Sequence, residues 1–108
     1  MAELRIIDFT SARDFLRALF RSKKQKNPML SLRGWSRQLG LSSSSLLSAV
    51  MRGERSLSPR LSILLVKNLK LSDREKEFFL LLSLVSAIDE SNRAPYLKVL
   101  RDWLKANP

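Results

Sequence analysis

The stretch that decides the fold is residues 31–53, which read SLRGWSRQLGLSSSSLLSAVMRG. Two runs of apolar residues in it recur at the spacing of one helix face: Leu32, Trp35 and Leu39, then Leu46, Leu47, Val50 and Met51. Ser31 and Ser42 precede the runs as N-caps, and Gly40 and Gly53 follow them as terminators. The stretch therefore predicts two short helices, over residues 32–39 and 43–52, separated by a turn.

Apolar periodicity predicts four more helices around this pair. Their starts are marked by Ser11 for a helix over 12–24, Ser58 and Pro59 for one ending near Lys70, the capping box of Ser72 and Glu75 for a fifth, and Pro95 for a sixth. No segment shows the alternation of a strand. We therefore expect an all-α fold, a compact five- to six-helix domain over residues 1–108. The C-terminal helices, over residues 72–105, would complete the core or form a dimer interface.

The composition argues against several classes of function. The 108 residues include no cysteine and no histidine, which excludes disulfides, thiolate metal sites and the commonest general base. No carboxylate cluster, glycine-rich phosphate loop or nucleophile–base pair is visible, so we expect no catalytic residue, no metal site, no cofactor and no enzyme. The start lacks the apolar core of a signal peptide, and residues 78–88 are too short to span a bilayer. We expect a cytoplasmic protein without a membrane partner.

The net charge of +10 is concentrated in one segment. Residues 17–70 hold twelve basic residues and one acidic residue, Glu54. Residues 1–16 hold two basic and three acidic residues, and residues 71–108 hold six of each. A solubilising surface usually mixes both signs, whereas a one-sided excess is typical of contact with a polyanion.

The order of elements in residues 32–53 is the plan of a helix-turn-helix, whose second helix lies in the major groove of duplex DNA. One stripe of helix 43–52 is expected to contact base edges: Ser44, Ser45, Ser48 and Arg52. Contacts with phosphates are expected from the residues around it: Ser43, Arg33, Arg37, Arg55, Lys23, Lys24 and Lys26. The alternative for each is an ordinary solvated side chain or a charge at a helix end.

The segment LRGWSRQLGLSSSSLLSAVMRGERSLSPRLSILLVKNLKLS resembles the lambda-repressor-like (Cro/cI-type) helix-turn-helix. The resemblance is carried by Leu39-Gly40-Leu41-Ser42, Leu47, Val50, Arg52-Gly53, Arg55 and Leu69. More closely, DFLRALF and NPMLSLRGWSRQLGLSSSSLLSAVMRGERSLSPRLSILLVKNLKLSDREKEFFLLL are similar to the N-terminal part of a family of paralogous bacterial transcriptional regulators. That similarity implies a DNA-binding regulator, and it implies that longer members carry a C-terminal portion absent here. The chain would then be a short member or a truncated one.

Two departures from the lambda-repressor-like pattern bear on sequence readout. The interval between Gly40 and Gly53 is one residue longer than usual, and no glutamine or asparagine opens the second helix to read adenine. Base specificity would therefore be weak or would come from Arg52 or Arg55. Double-stranded DNA is the expected partner.

The C-terminal third is electrically balanced and rich in apolar residues, so it is the expected place for a homodimer contact or for docking of a further domain or protein partner. Four residues are the candidates for a dimer surface: Phe79, Leu82, Leu100 and Trp103. Two other functions stay open. One is an adaptor whose basic face binds an acidic protein. The other, RNA binding, is less favoured because only 7% of residues are aromatic.

Overall fold

The computed structural model describes residues 4–86, 88 and 90–106, so residues 1–3, 87, 89, 107 and 108 of the expected domain lie outside the described part. The described chain is all-helical, as the sequence predicts, and contains no strand. Its α-helices are α1 (Ala12–Lys26), α2 (Leu32–Gln38), α3 (Ser45–Met51), α4 (Pro59–Asn68), α5 (Asp73–Ser86) and α6 (Ala94–Ala106). Two short 3-10 turns, Ile6–Asp8 and Glu90–Asn92, precede α1 and α6.

Serine side chains begin three of the helices, as the sequence predicts. The Oγ atoms of Ser11, Ser31 and Ser58 accept hydrogen bonds from backbone N–H groups three residues later, at 3.0–3.1 Å. The capping box at α5 is also present. There the Glu75 carboxylate accepts from the Ser72 N–H at 2.9 Å, and the Ser72 hydroxyl accepts from the Glu75 N–H at 3.2 Å. Each satisfies a donor that the first helical turn leaves without a partner.

The start of α3 differs from the prediction of a helix over residues 43–52 capped by Ser42. The helix begins at Ser45, and its N-cap residue is Ser44, whose side chain makes no capping hydrogen bond. The physical reason lies in the backbone. A serine that caps a helix with its side chain has an extended backbone itself, whereas Ser44 has helical angles (φ −85°, ψ −8°). Ser42 and Ser43 consequently belong to the connection between α2 and α3.

Two glycines end α2 and α3, as predicted, because both sites need a left-handed backbone. Gly40 has φ +81° and Gly53 has φ +77°, which cost little only for glycine. The turn at Gly40 is fastened to α4 by Asn68, whose amide donates to the Leu39 carbonyl at 3.2 Å and to the Leu64 carbonyl at 3.1 Å. The direction in which the chain leaves α2 is therefore held by α4.

The core contains the residues that helical periodicity assigns to it: Trp35, Leu47, Val50, Leu61 and Leu65, none more than 5% exposed. The Trp35 ring stacks on the Phe20 ring at a centroid distance of 5.3 Å, which joins α2 to α1. The periodicity does not reveal that Ile6, in the turn before α1, is also buried (1% exposed). A three-residue turn has too few residues to show a period.

Helix α5 lies at the centre of the fold. Of the two roles that the sequence allows for the C-terminal helices, completing the core or forming a dimer interface, most of the α5 surface serves the core. Phe79 and Leu82, expected at a dimer surface, are fully buried in the core, so that prediction is wrong for both residues. The physical reason is that α1, α4 and α6 all pack against α5, which leaves only one of its faces open. That open face carries Leu81 and Leu84 instead.

Gly34 gives a test of local packing. A Cβ atom built there would meet only the Ser31 Oγ at 3.4 Å and a Leu30 methyl at 3.8 Å, both ordinary contacts. Gly34→Ala is therefore expected to raise the free energy of unfolding by about 0.5–1 kcal/mol, because alanine loses less backbone entropy in a helix. Urea unfolding followed by circular dichroism measures it. Gly40→Ala, at positive φ, should be destabilising, and a loss of stability in Gly34→Ala would contradict the prediction.

Candidate nucleic-acid interface

Residues of α1, α2 and α3 line one open cleft on the surface of the protein. They are Arg17, Leu32, Ser48, Met51, Arg52 and Glu54. The cleft places a cation of α1 beside the polar face of α3, and Ser48 and Arg52 of the expected base-contacting stripe lie in it. Its far wall is formed by the first residue of α2.

A hydrogen-bonded group occupies the end of α3. The Arg52 guanidinium binds both Glu54 carboxylate oxygens, at 3.1 Å from Nε and 2.9 Å from Nη2, and its Nη1 donates to the Ser48 hydroxyl at 2.6 Å. The hydrogen bond and then the charge of Arg52 lower the pKa of Glu54, and Glu54 raises the pKa of Arg52 in turn. Arg52 is thus held on the surface of α3 in one direction, with part of its charge compensated.

The other expected base-contacting residues lie around the start of α3. Ser45 is the first residue of the helix and is exposed, whereas Ser44, half-buried, precedes it. Ser43, an expected phosphate contact, is exposed in the connection before the helix. The serines therefore present a neutral polar edge where α3 begins, and Arg52 lies just after its last residue.

The expected phosphate contacts are spread over more than one part of the surface. Arg33, Arg37 and Arg55 are exposed, and their guanidinium groups form no ion pair with a carboxylate of the described chain. Lys26 is also exposed, in the last turn of α1. They are side chains with a free charge that could reach a phosphate.

Two lysines are placed differently from this expectation. The Lys24 ammonium donates to the Leu30 carbonyl at 3.0 Å and so helps to hold the turn between α1 and α2. Lys23 lines a second cleft with Trp35, Gln38 and Lys70, away from the residues of the α3 cleft. The structure does not bring these two lysines together with the serines of α3.

The sequence-based prediction of the site missed α1 as a source of cations near α3. Arg17 lies in the cleft with Arg52, and the guanidinium of Arg13 occupies the space where a side chain on Gly53 would begin. Arg13, Arg17 and Arg21 are spaced four residues apart and all three are exposed, so they share one face of α1. The spacing predicts that the three arginines share a face, but it does not predict that this face lies beside α3.

The charges of residues 17–70 are almost all available at the surface. Of the twelve cations, eleven are exposed and Lys23 is half-buried. Within the described residues, Arg52 is the one member of this segment that forms an ion pair with a carboxylate. The remaining cations therefore have no internal counter-charge there.

A second surface feature is an apolar groove between α5 and α6. It is lined by Leu81, Leu84, Val85, Ile88, Tyr96, Val99, Leu100 and Trp103. Leu84, Tyr96 and Val99 are 58%, 54% and 68% exposed, although they are large apolar or aromatic side chains. Trp103, one of the predicted dimer residues, is half-buried in this groove. Leu100 also lines it but is only 5% exposed and belongs to the core, so the prediction of a dimer surface is wrong for Leu100 as well.

No protein-family model, no curated protein and no solved structure matches this chain. In the described residues no helix is both long and apolar enough to cross a membrane. The assignment of a function consequently depends on the surface of the protein itself.

Proposed function

We propose that this protein is a DNA-binding transcriptional regulator of the cytoplasm, with α3 in the major groove in the manner of a lambda-repressor-like helix-turn-helix. The observation that carries the proposal is the set of exposed cations without internal carboxylate partners in residues 17–70. A polyanion supplies the counter-charge that the protein lacks there. Among polyanions, duplex DNA accounts best for a short helix whose outer face carries serines and is bordered by cations of α1 and α2.

The dimensions of α3 fit this role. Seven residues make a helix about 10 Å long, and the major groove is about 12 Å wide. Serine side chains let a helix approach base edges closely, and Arg52, directly after α3, would bind two acceptors of a guanine once it leaves the Glu54 carboxylate. Arg17 beside it, and Arg33 and Arg37 on α2, would hold phosphates on the two sides of the groove.

The apolar groove between α5 and α6 supports a homodimer as part of the proposal. Two copies with this charge would repel each other over most of their surface, but residues 71–108 are electrically balanced. Near the groove, Lys98 and Asp102 of α6 pair with each other at 3.0 Å, so both signs are present at the surface. A symmetric dimer would bind two half-sites about one helical turn apart.

The decisive experiment is a titration of labelled duplex DNA at two salt concentrations, combined with selection of preferred sequences from a random pool. The proposal expects salt-sensitive duplex binding, with log K falling by about 0.9 per log unit of salt for each phosphate contacted, and an enriched sequence. Salt-sensitive binding without enrichment would reduce the function to non-specific DNA binding. Absence of duplex binding, with binding to an acidic protein instead, would favour an adaptor.

Glu54 tests the role of α3 directly. Glu54→Gln is expected to tighten duplex binding by about three- to tenfold at ~0.1 M salt, because it removes a carboxylate near the phosphates and releases Arg52 from its ion pair. Fluorescence anisotropy measures the change. Glu77→Gln makes the same change of net charge on an exposed position of α5. If the two variants bound equally well, Glu54 would have no particular place in the interface.

Leu84 tests the dimer. Leu84→Glu is expected to convert a dimer into a monomer without loss of folding, because this side chain is largely exposed in the single chain but would be buried between two copies. Light scattering over a range of concentrations measures the mass. Ile63→Glu, an equally radical change at a half-exposed position of α4, should leave the mass unchanged. A wild-type protein that stays monomeric at high concentration would rule the dimer out.

A further inference from the structure

A polar cavity lies beside the end of α3, where the start of α1, the loop after α3 and the end of α5 meet. Its volume is about 240 Å³, and the polar residues of its lining that matter here are Ser11, Arg13, Arg55, Ser83, Ser86 and Arg93. The space is large enough for a small ligand.

Three arginines line this cavity, and none of its described lining residues is acidic. Arg55 is exposed at the rim and has no partner in the described chain. Arg13 has one long contact with Asp14, at 3.6 Å, in which both side chains are nearly half exposed. The positive charge of the cavity is therefore poorly compensated by its described surroundings.

Arg93 is held in place at the cavity by backbone carbonyls. Its Nη2 donates to the Ser86 and Ile88 carbonyls at 3.1 and 3.0 Å, which fixes the plane of the guanidinium. Its Nε is buried and makes no hydrogen bond. The two backbone carbonyls hold the guanidinium at the wall of the cavity but carry no formal charge, so the positive charge of Arg93 is not neutralised by them.

The start of α1 adds a neutral hydroxyl donor and a partial positive charge to the cavity. The Ser11 hydroxyl accepts from the Asp14 N–H, which leaves its own proton available for a bond to a ligand. The first turn of this 15-residue helix also carries the positive end of the helix dipole. Ser83 and Ser86 donate to the Phe79 and Leu82 carbonyls at 2.8 Å and form a neutral wall.

From these observations we infer that the cavity binds a small molecule carrying a phosphate or diphosphate group. Guanidinium groups match the paired oxygens of a phosphate, and three of them suit a ligand with more than one negative charge. The bound group would connect Arg55, in the loop after α3, with Arg13 of α1 and with Arg93. Such a ligand would therefore fix the loop that follows the candidate recognition helix.

The test uses inorganic pyrophosphate as the probe, titrated calorimetrically into the protein without DNA, with ionic strength held constant by potassium chloride. Wild-type protein is expected to bind it, and Arg55→Gln to bind it at least tenfold more weakly, because one charge-assisted contact is lost. Arg60→Gln, an exposed cation of α4 outside the cavity, is the control with the same net charge and should change the affinity less than twofold.

The DNA backbone also carries phosphates, so a second titration is made on protein saturated with duplex. Pyrophosphate that still binds, with the same dependence on Arg55, supports a separate small-molecule site. Pyrophosphate that the duplex displaces would overturn that assignment and make the cavity a contact for the DNA backbone. No binding, or equal weakening in Arg55→Gln and Arg60→Gln, would overturn the inference, whether or not the protein binds DNA.

Discussion

Replacing Arg17, Arg33 and Arg37 together by glutamine is expected to weaken duplex binding by about 100-fold or more at ~0.1 M salt. Each arginine that neutralises a phosphate releases about 0.9 counterions, and this release is worth roughly a factor of eight at that salt concentration. Three such contacts multiply to a few hundredfold. The slope of log K against log salt should also become shallower by about 2.7, which identifies the loss as electrostatic.

A matched triple variant separates local contact from net charge. Lys76, Lys98 and Lys105 lie on α5 and α6, outside residues 17–70. Their replacement by glutamine lowers the net charge by the same amount, three positive charges. We expect it to weaken binding only a few-fold, through the long-range field alone. Equal losses in the two triple variants would show that no surface of α1 and α2 is preferred by the DNA. The three replaced arginines are exposed, as are Lys98 and Lys105, whereas Lys76 is half-buried, so circular dichroism is used to check that both variants are folded.

Trp35→Ala is expected to lower the free energy of unfolding by about 3–5 kcal/mol, the largest effect of a single substitution proposed for this protein. Trp35 is 1% exposed and stacks on Phe20, so its removal leaves a large cavity and also separates α2 from α1. Domains of this size have only about 5–15 kcal/mol of stability. The midpoint of thermal unfolding should therefore fall by about 15 °C or more.

Trp103→Ala provides the comparison, because Trp103 is half-buried in the groove between α5 and α6. It should cost less stability than Trp35→Ala in the monomer. The two variants also leave one tryptophan each, so the fluorescence of Trp35 and of Trp103 can be followed separately during denaturation. A cost below about 1 kcal/mol for Trp35→Ala would mean that α2 is not held by this contact.

The starts and ends of helices were predictable because they depend on residues within one turn of each other. A hydroxyl three residues before an N–H group forms its cap wherever the helix lies, as at Ser11 and Ser58. Gly40 and Gly53 end their helices for an equally local reason, the left-handed backbone. The predicted start of α3, at residue 43 with Ser42 as its cap, was wrong because four consecutive serines offer four equivalent capping residues. The backbone then used none of their side chains.

The candidate site was predictable only in part. Excess charge and an exposed polar face on α3 follow from composition and spacing. That Arg17 lies beside Arg52, and that Arg52 is bound to Glu54, depends on how α1 packs against α3. The spacing that places Arg13 and Arg17 on one face of α1 does not say which helix that face adjoins.

The sequence by itself determined that the chain is all-helical, where most of its helices begin and end, and that its charge lies in one segment. These are consequences of local hydrogen bonding, backbone angles and residue counts. Only the tertiary structure decided that Phe79 and Leu82 are buried while Leu84 is exposed, and that three arginines from separate parts of the chain meet in one cavity. Such outcomes depend on contacts between residues far apart in sequence. The apolar spacing within one helix does not specify which other helices pack against it.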